Sequence, residues 1–295
     1  MVWKDGGPVL GIIGGGGISN LSGLEGARWE TTVSPFGMPS DQLLYGTFNG
    51  QRLVFLPRHG RGHRLPPSDV NYRANIDVLK RAGATEIISV SAVGSLREDL
   101  PPGSLVIVDQ FIDRTSGRAN SFFTAGMAAH VSMATPVCPR LCDALEAGAR
   151  AAGVPIRRGA TLLVIDGPQF STRAESNLYR QWGCDLLGMS NMPEAKLARE
   201  AELCYAALVT VTDYDSWHPE HEQLTAEALL QVYEANAARG RQVLTATIGA
   251  LGERSGPCRH GCQWALDHAL ITRLDQRDPD ALEKLDAVAG RLLGT

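Results

Sequence analysis

Short runs rich in valine and isoleucine, at residues 9–13, 44–48, 52–57, 86–92, 105–111, 160–165, 186–189 and 205–211, alternate with longer stretches whose apolar residues recur at helical spacing. Such runs suit strands, and the stretches between them suit covering helices, so the pattern predicts an α/β fold in which a sheet is wrapped by helices. Gly50 stands between the second and third runs, where a hairpin turn would fall. Helices are predicted over residues 70–82, closed by Gly83, and over 140–152, closed by Gly153. Thr172 and Glu175 have capping-box spacing, which lets side chain and backbone satisfy each other's unpaired donors. Residues 225–251 read as one long helix. Asp278 and Pro279 then open a last helix with Leu282, Leu285, Val288 and Leu292 on one face.

The chain has 295 residues, 44% of them apolar and 20% charged, enough for a sizeable core in one domain. No internal repeat or low-complexity linker divides it. The formal charge of −4 is small, and basic residues are mixed with acids, which argues against a nucleic-acid surface. No apolar run approaches the ~18 residues of a membrane helix, and the start lacks a basic region followed by a long apolar one. The expectation is a soluble cytoplasmic protein with no membrane partner. Residues 115–135 are weakly periodic and rich in Ser, Gly, Ala and Met, as in a long loop that is either functional or disordered. The six cysteines are spread thinly, so reduced thiols are the default. Cys258 and Cys262 flank His260, which leaves open a zinc site without a fourth ligand nearby, a local disulfide, or plain surface thiols; surface thiols are the default among these.

Five clusters carry chemistry. The first strand runs into Gly14-Gly15-Gly16-Gly17, where backbone amides can approach an anion unobstructed by a Cβ. A dinucleotide fold also begins this way, but it needs G-x-G-x-x-G and an acid closing a second strand; Glu30 comes early and follows no clear strand. Arg58 and His59 follow another apolar run, and an Arg there could grip a phosphate through paired charge-assisted hydrogen bonds; with His63 the same histidines could instead be a metal pair or ordinary loop residues. Ser91-Ala92-Val93-Gly94-Ser95 closes a strand as a ligand site or a tight turn. Met189 and Ser190 lie at a strand-to-helix corner, where Met189 could equally be core. Asp213 and Asp215 sit beyond a strongly apolar run, so they either reach solvent or face a ligand that offers donors.

Taken together, Gly11-Ile12-Ile13-Gly14-Gly15, Arg58-His59-Gly60, Val70-Asn71-Tyr72, Gly94-Ser95-Leu96-Arg97-Glu98, the run from Asp109 to Thr115, Gly167-Pro168, Arg173-Ala174-Glu175, Met192-Pro193-Glu194 and Thr212-Asp213-Tyr214-Asp215 resemble the trimeric purine nucleoside phosphorylase family, specifically its members acting on 5′-methylthioadenosine. The resemblance spans residues 9–271 and leaves 272–295 as a helical extension. It implies one α/β domain around a central mixed, partly barrel-like sheet flanked by helices. The implied reaction is phosphorolysis of 5′-methylthioadenosine, in purine and methionine salvage, with inorganic phosphate as co-substrate and neither metal nor cofactor. By the same resemblance, Gly15, Gly16, Arg58, His59, Ser91, the Ala92 amide and Ser190 hold phosphate, Met189 lies against ribose, and Phe170 stacks near the purine. Asp213 and Asp215 then read the purine's N7 and N6 edge. Ala226, Leu229 and Leu230 form a 5′ pocket, although by spacing alone that stripe reads as core. His130 and Ile271 reach a neighbouring subunit's site in a homotrimer. Members using 6-oxopurines carry Asn where Asp213 stands, so the acid favours adenine. A broader purine nucleoside or 5′-deoxyadenosine phosphorylase is the nearest rival, and a binding protein without turnover the more distant one. The departures are Gly16 in place of a hydroxyl, Ser190 in place of Thr, and Asp166 and Gln169 in place of Glu and Arg; they bear on phosphate affinity.

Overall fold

Every residue of the first strand, β1 (Val9–Gly14), is buried, as expected of a strand covered on both faces and paired at both edges. It lies parallel to β4 (Gln51–Pro57) on one side and to β5 (Ala84–Ser95) on the other. The computed structural model describes residues 8–15, 23–219, 226–251 and 256–293, with only the backbone of 226–231, 233 and 234.

The sheet of 11 strands forks at β5. Along most of its length β5 pairs in parallel with β11 (Cys204–Tyr214), and at Gly94 and Ser95 it pairs antiparallel with β10 (Leu186–Gly188). One arm continues through β10 to β9 (Thr161–Val164) and β7 (Gln110–Asp113), and the other through β11 to β6 (Leu105–Val108) and β8 (Arg157–Arg158). On the far edge β3 (Leu43–Phe48) pairs antiparallel with β4 and with β2 (Glu25–Glu30). The result is the expected mixed sheet flanked by helices, forked and not closed into a barrel. Helix α2 (Pro139–Ala151) packs on α5 (Ala226–Leu251), and both pack on β11. Gly148 makes that crossing close, since a Cβ there would lie 2.7 Å from the Thr247 backbone nitrogen. Helix α1 (Tyr72–Arg81) packs on β5 and on α4 (Glu194–Glu200), which in turn packs on β11.

Local chemistry explains several element boundaries. Asn49 and Gly50 both have positive φ, 49° and 79°, as the two-residue turn between β3 and β4 requires. The capping box is formed: Thr172 accepts from the Glu175 amide and the Glu175 carboxylate accepts from the Thr172 amide at the start of α3 (Arg173–Gln181). The predicted strand at 105–111 is two strands. It breaks at Asp109, whose carboxylate accepts from the Ala160 amide at 3.1 Å while the chain changes partner from β11 to β9. Strands β2 and β8 give no apolar run because both are largely exposed, and β8 is only two residues long. The tail forms two helices, α6 (Pro279–Lys284), capped by Asp278, and α7 (Asp286–Leu293), and Leu285, Val288 and Ala289 bury themselves in the main core.

The long loop at 115–135 has no helix or strand of its own yet is held at several points. The side chain of Arg118 donates to the carbonyls of Met189 at 3.0 Å, Met192 at 2.7 Å and Asp166 at 2.8 Å. The Glu200 carboxyl group accepts from the Ser121 hydroxyl and the Phe122 amide, both at 2.7 Å. Burial pushes the Glu200 pKa up from 4.5 to about 7, against those hydrogen bonds. A carboxyl group whose folded pKa is raised contributes stability that is full below pH 4.5 and is lost as pH rises through 7. Glu200→Gln removes this dependence, so the unfolding free energy of the native chain minus that of the variant should fall across that window in urea titrations. A difference that does not vary with pH would be incompatible with this assignment.

Candidate active site

The carboxyl ends of the parallel strands β4, β1, β5 and β11 converge on one cleft of about 380 Å³, the position where open α/β sheets bind ligands. Gly15 enters it after β1, Arg58 and His59 after β4, and Ser91 and Ala92 from β5. Met189 and Ser190 follow β10, Phe170 stands at the mouth, and Asp213 and Asp215 come from the end of β11. Gly16 lies outside the described residues, as do the side chains of Ala226, Leu229 and Leu230. His130 and Ile271 do not line this cleft. They lie on a surface ribbon in which the His130 amide donates to the Ala269 carbonyl at 2.8 Å and the Ile271 amide to the Ala128 carbonyl at 2.9 Å.

One end of the cleft is cationic. Arg58 is 1% exposed, and its guanidinium pairs with Glu194 at 2.9 Å, donates to the Ser89 hydroxyl at 2.6 Å and to the Val90 carbonyl at 3.0 Å. The paired grip expected for an anion is therefore made to Glu194 from below. At most one Nη1 proton remains for a ligand, and Arg58 acts on the cleft chiefly through its charge. Burial alone would lower the Arg58 pKa, but the Glu194 carboxylate outweighs it and raises the value. For His59, burial and then the Arg58 charge lower the pKa from 6.5 to about 4. A neutral His59 donating from Nδ1 to the Leu65 carbonyl at 2.9 Å leaves Nε2 as an acceptor. It can take a hydrogen bond from a protonated oxyanion. The His63 ring stacks on His59 at 4.4 Å, so the two histidines do not converge on a metal. Ser91 donates to Asn191 at 2.8 Å.

The opposite end is acidic, and a β-bulge puts it there. Alternation along β11 would turn Thr210, Thr212 and Tyr214 toward the cleft. The register shifts between Val211 and Asp213, so that Thr210 and Thr212 are followed in the lining by Asp213 and Asp215. Tyr214 turns away and donates to the Glu98 carbonyl at 3.2 Å. Both acids are buried, at 5% and 1% exposure, and the Thr212 hydroxyl fixes the Asp213 carboxylate through a 2.6 Å hydrogen bond. This wall suits a ligand presenting N–H donors. Met189 is held against Gly167, where φ is 64° and a Cβ would lie 2.4 Å from the Met189 sulfur.

The family model of the Phosphorylase superfamily matches residues 10–249. The chain belongs to this superfamily. S-methyl-5′-thioadenosine phosphorylase of Rhodospirillum rubrum is 59% identical over 97% of this chain and 98% of its own, and that of Bradyrhizobium diazoefficiens is 55% identical over 97% and 98%. Among solved structures, a methylthioadenosine phosphorylase from an antarctic soil metagenomic library superposes with a TM-score of 0.90 at 43% identity, covering 96% of this chain and 99% of that one. Methylthioadenosine phosphorylase from Schistosoma mansoni, in complex with adenine, gives 0.80 at 37% identity, covering 88% and 96%.

Sequence reasoning missed the layer beneath this cleft. Tyr205 donates to Glu194 at 2.8 Å, and the Asn191 amide donates to Tyr205 and to Ser89, both at 3.1 Å. Asn191 lies in the corner before α4 and Glu194 is the first residue of that helix, so helical spacing gave no signal for the pair. Asn236 and Ala237 of α5 also line the cleft. Cys258 and Cys262, expected as surface thiols, are buried, because their loop folds inward onto Cys138 and Cys204. Removing one member of a buried ion pair strands the other, at a cost of about 3–5 kcal/mol. Glu194→Gln should therefore destabilise the protein by roughly that amount in urea unfolding, whereas a loss under about 1 kcal/mol, the value of an exposed pair, would mean that water reaches Arg58.

Proposed function

We propose that the chain cleaves 5′-methylthioadenosine with inorganic phosphate, giving adenine and 5-methylthioribose 1-phosphate. The observation that carries this reading is the bulge that turns Asp213 and Asp215 into the cleft opposite the cationic end. A phosphate oxygen attacks the anomeric carbon as the glycosidic bond to adenine breaks, and the hydroxyl proton lost by HPO₄²⁻ is balanced by the one gained on the departing base. Arg58, His59, Ser91, the Ala92 amide and Ser190, with Gly15 and Gly16, are assigned to phosphate, where fixed charge and positioning both lower the barrier. Neutral His59 selects a phosphate that still carries a proton. Asp213 is assigned to N7 and Asp215 to the exocyclic amine, with Met189 against the ribose and Phe170 beside the purine. Inorganic phosphate is a co-substrate, and the reading invokes no cofactor.

Ala237 supports an apolar 5′ subsite on α5, since it lines the cleft seven residues, or two helical turns, beyond position 230. Ala226, Leu229 and Leu230 are assigned to that subsite. Phosphate-dependent release of adenine from methylthioadenosine, measured beside adenosine, 5′-deoxyadenosine and inosine, tests the whole reading. The methylthio and deoxy substrates should exceed adenosine, because an apolar wall leaves a 5′-hydroxyl without its water. Asp213→Asn should lower kcat/KM for adenine nucleosides roughly 10- to 100-fold, the worth of a hydrogen bond to a charged group, and spare inosine. Equal losses in both series would remove Asp213 from purine selection.

The same reading includes a homotrimer. Ile271 is 58% exposed on a ribbon shared with His130, and neither lines its own chain's cleft, which supports their serving a neighbour's. Light scattering should give three times 31.7 kDa, and an active monomer would contradict shared sites.

A further inference from the structure

Four cysteines from three distant parts of the chain meet in the core, about 30 Å from the acidic wall of the cleft, since Cys204 opens β11 and Asp213 lies nine residues further along it. Cys138 is the N-cap of α2, and its amide donates to the Tyr205 carbonyl at 2.7 Å. Cys258 and Cys262 sit on the segment that follows α5. That segment turns sharply, with the Gly261 amide donating to the Cys258 carbonyl at 2.9 Å, Gly261 at a φ of 71°, and the Cys258 amide donating to the Gln263 side chain at 2.9 Å. The turn aims both thiols inward, while His260 between them is exposed. The motif thus contributes two sulfurs and no imidazole. Cys138 and Cys204 bring two further sulfurs to the same point.

We propose that Cys138, Cys204, Cys258 and Cys262 form a structural zinc site. Their four sulfurs all lie within 4.8 Å of one another, and those of Cys138 and Cys258 are 3.6 Å apart. Sulfurs around a tetrahedral zinc at about 2.3 Å stand about 3.8 Å from each other. Two disulfides would need contact only within each pair, at about 2.05 Å. Mutual convergence of all four on one point is the geometry of a single ion, and an all-sulfur, closed, tetrahedral donor set suits zinc. The spacing C-x₃-C falls within the range of zinc-binding loops. Binding releases the four thiol protons to solvent, changes no oxidation state and leaves a site of net charge −2, part of which the positive end of α2 offsets at Cys138. The ion ties the return segment after α5 to β11 and α2. That segment leads into the ribbon at 269–271, so the tie steadies the surface carrying His130 and Ile271 without entering the cleft.

Elemental analysis and native mass spectrometry of the full chain, purified from zinc-supplied cells without added reductant, should find one zinc per chain. Protein produced with cobalt in place of zinc should display the ligand-field and thiolate charge-transfer bands of a tetrahedral tetrathiolate. The double substitution Cys258→Ser with Cys262→Ser should lose the metal and the cobalt bands and lower the Tm, whereas Cys142→Ser and Cys184→Ser, outside the cluster, should keep the metal and the cobalt bands. A metal-free native chain, a mass reduced by the hydrogens of two disulfides, or metal retained by the double variant would each overturn the proposal. Because the native chain alone decides the first two outcomes, a variant that fails to fold leaves the test intact.

Discussion

The cleft rests on a buried ion pair. Arg58 follows β4 and Glu194 opens α4, 136 residues apart, and their side chains are each 2% exposed. Removing two charges from water is costly, and their attraction offsets that cost only when the remaining donors and acceptors are also satisfied. Here Ser89, the Val90 carbonyl and Tyr205 complete the set, with Asn191 bridging Ser89, Tyr205 and Ser91. The pair fixes the strand end that carries His59 relative to the corner that carries Met189 and Ser190. It also presents a permanent positive charge to the cleft while leaving the guanidinium little freedom to move. Such preorganisation lowers a barrier because no dipoles need to turn as charge develops.

A single strand links the cleft to the rest of the domain. β11 is buried along almost its whole length, pairs with both β5 and β6, and receives α2, α4 and α5. At its far end the bulge before Asp213 reverses the alternation of side chains, so two acids and not an aromatic face the ligand space. At its near end Cys204 joins the four-sulfur cluster. A rigid, doubly paired strand can carry both features because displacing either end would break a ladder of hydrogen bonds.

The long loop at 115–135 illustrates how irregular backbone is held where function needs it. Arg118 supplies donors to several carbonyls, among them that of Met189, and Asp166 accepts from the Ser116 amide at 3.0 Å. Asp166, one of the departures from the family pattern, thus has a structural partner in this chain. The loop then runs through Glu200's hydrogen bonds to the ribbon bearing His130. One loop therefore connects the floor of the cleft with the exposed surface at Ile271.

Much of this was legible in the sequence because its physical basis is local. Apolar runs located the buried strands, Gly50 the hairpin, Thr172 and Glu175 a helix start, and strand ends followed by Gly15, Arg58-His59 and Asp213 the residues that meet in the cleft. What remained hidden depends on partners far along the chain. No periodicity reveals β2 or β8, which are edge segments without an apolar face, and none reveals that Asp109 divides a strand. Arg58 reads as a ligand clamp until Glu194 is seen to occupy its paired donors. Residue order alone does not show that a bulge, and not plain alternation, carries Asp213 and Asp215 together into the cleft. Cys258 and Cys262 read as surface thiols because the sulfurs they meet lie about 54 and 120 residues away, a proximity that only the packing of β11 and α2 creates. Residue order alone shows which positions are apolar, where turns and caps can form and which side chains carry chemistry. Tertiary structure decided which of those side chains are neutralised, which face the ligand and which meet in the core, because burial, charge pairing and strand phase are properties of the assembled sheet and not of any segment of it.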